Sequence, residues 1–138
     1  MDSLMESEIK IILDANFLFI PIQFKLDIFD ELTKILNRRF IPIVLSSTVK
    51  ELKGLTESKS LKTQKQANNA LKLVDKCRFV TIQKNCNETF DDVIVRISTE
   101  WKCPVATNDQ TLRQKLRKQR VPVIYMRQKK RLKLEGSV

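Results

Sequence analysis

Short apolar runs alternate with amphipathic stretches along this sequence, and that pattern leaves few folds open. IKIIL at 9–13, FIPIVL at 40–45, RFVTI at 78–82, PVAT at 104–107 and VPVIYM at 121–126 read as strands. Between the first two, LDIFDELTKILNRR at 26–39 places Leu26, Ile28, Phe29, Leu32, Ile35 and Leu36 at helical spacing. Ser46, Ser47 and Thr48 offer N-caps to a short helix that carries Glu51 and ends near Gly54. Further helices are expected up to Val74, over 89–101 and over 109–119. Strands that are continuously apolar are buried on both faces, as in a parallel sheet covered by helices on each side. The expectation is therefore one α/β domain, a three-layer α/β/α sandwich on a five-stranded parallel sheet. It occupies residues 1–126, with a flexible excursion around 55–66 and a basic C-terminal tail at 127–138.

Composition removes several chemistries. There is no histidine, so no Ser-His-Asp or Cys-His catalysis, no imidazole base and no imidazole metal ligand. Glycine occurs only at Gly54 and Gly136, which excludes a glycine-rich phosphate loop and a dinucleotide fingerprint. Cys77, Cys86 and Cys103 contain no Cys-x-x-Cys pair and indicate neither a disulfide framework nor a zinc site. The acidic start, MDSLMESEIK, lacks the apolar core of a signal peptide, and no apolar run is long enough to span a bilayer. The chain reads as a soluble cytoplasmic protein.

The net charge of +10 is concentrated. Arg113, Lys115, Arg117, Lys118, Arg120, Arg127, Lys129, Lys130, Arg131 and Lys133 follow one another without an intervening acid, and the rest of the chain is neutral. Such a block reads as a polyanion-binding surface; its plain alternative is a solvated helix face with a loose tail.

Ligands of open parallel sheets bind beyond the carboxyl ends of the strands. Asp14 follows the first strand directly, Glu51 lies a turn into the helix after the second, Asp91 and Asp92 open the helix after the third, and Asp109 follows the fourth. Asp91 and Asp109 also suit helix N-termini as caps or dipole partners. Together, however, these acids are aimed at one edge. Clustered carboxylates hold protons or a cation, and all-oxygen ligation suits Mg²⁺ or Mn²⁺. Such an ion activates water and neutralises a phosphoryl group in transfer, while a basic tract holds a polyanion by its phosphates.

LDANF, VKEL, FDDVIV and ATNDQTLRQKLR, in that order, resemble the PIN-domain ribonucleases across residues 9–126, and especially archaeal members grouped with VapC toxins and with the small-subunit rRNA-processing endonuclease. The resemblance implies a strand order of 3-2-1-4-5 and Mg²⁺- or Mn²⁺-dependent hydrolysis of single-stranded RNA. It implies Asp14, Glu51, Asp91 and Asp109 as catalytic metal ligands, Asp92 as a helper, and Asn16 and Thr107 as hydrogen-bonding supports of Asp14. Arg113, Lys115, Arg117, Lys118, Arg127, Lys129, Lys130 and Arg131 would then track the RNA, with Trp101 or Tyr125 as stacking candidates. Ala15 departs from the hydroxyl residue that many members carry. An rRNA precursor, a tRNA or an mRNA is the expected partner, along with an antitoxin protein in a toxin role and a homodimer as a common assembly. A catalytically inactive RNA-binding PIN module is the alternative. A phosphoacceptor receiver domain shares the architecture but needs an acidic pair after strand one, where only Asp14 stands.

Overall fold

The computed structural model describes residues 8–138, so the acidic start of the chain lies outside the described residues. The chain runs through β1 (Ile9–Leu13), a 3₁₀ helix (Ala15–Phe19), α1 (Ile20–Phe24), α2 (Ile28–Leu36), β2 (Phe40–Leu45), α3 (Ser46–Leu55) and α4 (Leu61–Val74). It continues through β3 (Arg78–Val80), α5 (Phe90–Trp101), β4 (Val105–Ala106), α6 (Gln110–Lys118), β5 (Val123–Arg127) and β6 (Arg131–Glu135). The sheet order is β3-β2-β1-β4-β5-β6. The first five strands are parallel, in the expected order, and β6 closes the edge antiparallel to β5.

Six strands replace the expected five, and the stretch read as a tail contains the sixth. RLKLE is a period-2 strand: Leu132 is buried and Leu134 half-buried, while Arg131, Lys133 and Glu135 stay exposed. Its leucines join the apolar cluster that also holds Ile11, Leu13, Val44 and Ile124. On that face the sheet is covered by the 3₁₀ helix, α1, α2 and α4, through Phe17, Ile20, Leu32 and Ala70. The opposite face packs Ile12, Ile43, Leu45, Val105 and Val123 against Val93, Ile94 and Ile97 of α5 and Leu112 and Leu116 of α6. Alternate residues of each central strand thus feed opposite layers, as a three-layer sandwich requires.

Three local expectations change. The apolar run after Asp14 becomes the 3₁₀ helix and α1, in front of a shorter α2. Only residues 56–60 separate α3 from α4 within the stretch expected as an excursion, and Ser60 caps α4 by accepting from the Thr63 N–H. The N-cap of α3 is Leu45, without a side-chain bond. Ser46 instead bonds to the segment after β3, accepting from the Ile82 N–H at 2.9 Å and lying 3.2 Å from the Ile82 carbonyl.

Candidate active site

Asp14 leaves β1 in extended conformation, and its Oδ1 caps the 3₁₀ helix by accepting from the Ala15 N–H at 2.8 Å. The residue is 5% exposed. Its Oδ2 accepts from the Thr107 hydroxyl at 2.7 Å, across the neighbouring end of β4. Thr107 in turn accepts from the Asp109 N–H at 3.0 Å. Asn16 Oδ1 accepts from the Asn108 N–H at 2.9 Å and lies 3.2 Å from the Thr107 hydroxyl. Asn16 therefore supports Asp14 indirectly, by holding the loop that carries Thr107. Asn108 extends the seam to β5, accepting from the Met126 N–H at 2.8 Å. Sequence reasoning passed over Asn108; a polar residue two positions beyond a buried strand was its available signal.

The remaining acids come to the same edge on helices. Asp109 caps α6 by accepting from the Leu112 N–H at 3.0 Å. Asp91 lies in the first turn of α5, and Glu51 projects from α3; both are half-buried. Burial drives the Asp14 carboxyl up to about 6 against the pull of Thr107 and Ala15, and Asp91 and Asp109 add repulsion. Burial raises Glu51 to about 7, aided by repulsion from Asp14, Asp91 and Asp109. Asp91 is raised by burial, by Asp109 and, least, by its neighbour Asp92, with Lys115 opposing. The four acids sense one another; Asp92 touches them only through its neighbour Asp91. It forms a capping box with Thr89, whose hydrogen bonds hold its carboxyl below the usual range.

Among the described residues, no three carboxylate or thiol groups form a ready-made coordination shell. The donor set nevertheless fits a hard divalent cation. It is all oxygen, partly desolvated and self-repelling, and a cation would reverse the repulsion that now raises three of its members.

Basic residues flank this edge. β5 continues three residues beyond the last residue of β4 that it pairs with, so the β5–β6 hairpin projects past the edge by about 10 Å. Arg127 and Arg131 face each other across the hairpin, a like-charge pair that an anion would relieve. Lys129 and Lys130 are exposed at its tip; Lys118, the last residue of α6, is exposed at the opposite, amino end of the sheet, away from this edge. Arg113 and Arg117 are engaged within the fold: the Arg113 guanidinium stacks 3.9 Å from the Tyr125 ring centre, and Arg117 donates to the Val121 carbonyl at 3.2 Å. Trp101 is half-buried, with the Lys10 ammonium 5.2 Å from its ring centre. Both rings offered for base stacking therefore already serve intramolecular contacts.

Residues 11–129 match the family described as PIN-like domain. The chain belongs to the PIN-domain ribonuclease family. Ribonuclease VapC4 of Methanocaldococcus jannaschii is 30% identical to this PIN domain over 129 residues, which are 94% of this chain and 98% of that protein. The rRNA-processing protein fcf1 of Schizosaccharomyces pombe is 32% identical over 110 residues, 78% of this chain and 53% of that one. The solved PIN domain endonuclease Utp24 superposes with a TM-score of 0.76 at 28% identity, covering 94% of this chain and 92% of its own. A domain of a functionally unknown Methanocaldococcus jannaschii protein shares the fold at a TM-score of 0.62 and 14% identity. No helix among the described residues of this PIN domain is long and apolar enough to cross a membrane.

Proposed function

We propose that this PIN domain is an endoribonuclease that hydrolyses single-stranded RNA with Mg²⁺ or Mn²⁺ held by Asp14, Glu51, Asp91 and Asp109. The observation that carries the reading is the convergence of these four acids, whose mutual repulsion and burial raise Asp14, Glu51 and Asp91 together. When bound, the cation supplies Lewis acidity to water and charge neutralisation at the scissile phosphate. The chain supplies the rest. Thr107 and Ala15 fix both oxygens of Asp14, so this carboxylate is preorganised. The projecting hairpin, with Lys129, Lys130 and Arg131, meets the sugar–phosphate backbone as it enters the edge. Without histidine, no imidazole takes the proton of the attacking water. Departure of the 3′ oxygen leaves a 5′-phosphate end on the product.

A cation titration on end-labelled single-stranded RNA tests this. Cleavage is expected to appear with Mn²⁺ or Mg²⁺, to stop with chelator and to vanish in Asp14→Asn. Cleavage that persists in Asp14→Asn overturns the site. The Asn variant suits the pocket: its amide can donate to Thr107, whose hydroxyl then turns to Asn16 Oδ1, 3.2 Å away. RNAs cross-linked to Asp14→Asn in cells then identify the substrate, with ribosomal precursor ends marking rRNA maturation and tRNA or mRNA marking a toxin-type role.

A further inference from the structure

A groove of about 670 Å³ opens between α1, the start of α4 and the tip of the β5–β6 hairpin. Its walls expose Ile22 and Leu61, 43% and 71% accessible, and Phe24 lies half-buried between them and the core. Lys62, Lys65 and Lys129 line it with no acid among them, and none of the three forms an ion pair among the described residues. Lys62 sits in the first turn of α4, a turn without acidic residues, where the helix dipole disfavours a cation. An anionic occupant meets both the lysines and the helix end. The other large cavity, about 650 Å³ at the amino edge of the sheet, is also rimmed by cations. There Lys102 and Arg120 follow the ends of α5 and α6 and answer the helix dipoles, so the fold itself accounts for their charge.

We infer that this groove is a second RNA-binding subsite, which takes one or two unstacked nucleotides of the strand engaged at the carboxylate edge. The inference rests on the ribonuclease reading and extends it. Apolar walls suit nucleobase faces, Gln23 and Gln66 offer amides to base edges, and the lysines suit the flanking phosphates. The volume falls within the ~300–1,000 Å³ of small-ligand sites. Charge continuity selects RNA over an acidic peptide, since Lys129 belongs to the same hairpin tip as Lys130 and Arg131. So does proximity: Ile22 is joined to Asp14 by the 3₁₀ helix and the first turn of α1, a path of about 15 Å. At a stacked rise of ~3.4 Å that is about four nucleotides.

The test is equilibrium binding of fluorescent oligouridylates of four and twelve nucleotides to the full chain in EDTA, across a KCl series. The twelve-mer should bind wild type more tightly than the four-mer. Lys62→Gln/Lys65→Gln should reduce that gain and flatten the log–log salt slope by about 1.4, near 0.7 for each phosphate that the variant no longer neutralises. Ile22→Ser/Leu61→Ser, at exposed positions, should weaken the twelve-mer about 5-fold with the slope unchanged. Circular dichroism confirms that both variants are folded. If wild type binds the twelve-mer and both variants match it in affinity and slope, the groove is not an RNA subsite, and the ribonuclease reading stands. If wild type binds neither oligonucleotide, the groove is not an RNA subsite, and the ribonuclease reading is decided by the cation titration above. A glutamate-rich peptide that binds through Lys62 and Lys65, with RNA binding unaffected in the variants, makes the groove a protein interface and overturns the inference.

Discussion

Thr107 has one hydroxyl proton and two acceptors within reach. At 2.7 Å from Asp14 Oδ2 and 3.2 Å from Asn16 Oδ1, the proton goes to the carboxylate, while the oxygen accepts the Asp109 N–H. A single buried hydroxyl thus joins the first acid of the site to the backbone of the last. Thr107→Val keeps the shape and removes both bonds. It should cost about 1–2 kcal/mol, read as a drop in Tm of roughly 3–6 °C. It should also move the Asp14 carboxyl above its value of about 6, since Thr107 pulls it down. Carbon-13 NMR of labelled Asp reads that titration; an unchanged Tm and an unchanged Asp14 would show the hydroxyl idle. Much of this site was legible in the sequence, because an acid just past a buried strand has few places to go. The division of labour was less so. Asp91 and Asp92 are adjacent and chemically alike, and only the capping box with Thr89 shows that Asp92 serves the helix end.

At the level of elements, the central strands were readable because continuous apolar runs cannot be hidden. β6 was hidden by its own exposure: in RLKLE the outward residues are charged, and the two inward leucines look like interruptions of a basic tail. The 3₁₀ helix and α1 were missed for the opposite reason, since NFLFIPI is apolar without a helical period. The corrected status of residues 127–138 has a measurable consequence. Leu132, 7% exposed, packs into the cluster beneath α2. Leu132→Ala should therefore destabilise the chain by about 2–4 kcal/mol in urea unfolding. A residue in a loose tail would give no change, so a loss below about 0.5 kcal/mol would remove β6 from the core.

Across the whole molecule, the charge divides between a carboxylate edge that repels itself and a hairpin that repels itself beside it. The first has a thermodynamic signature. Asp14 rises from an ordinary 3.8 to about 6 on folding, and Glu51 from 4.5 to about 7. Between those values the folded chain holds more protons than the unfolded one, so these two groups make stability fall as pH rises from about 4 to about 7. For buried Asp14 the full effect is on the order of 2–3 kcal/mol. Asp92 and Glu88, held below their ordinary values by Thr89 and Arg96, pull the other way, so the pH profile of wild type alone does not isolate the site. The difference from Asp14→Asn/Glu51→Gln does. In chelator, the variant should match wild type near pH 4 and exceed its Tm at pH 7.5. Adding Mn²⁺ at pH 7.5 should reverse the order, because a cation that binds only the folded carboxylates stabilises wild type by mass action and leaves the neutralised variant nearly unchanged. Equal responses of the two proteins to Mn²⁺ would place cation binding elsewhere, and with it the source of any cation-dependent cleavage.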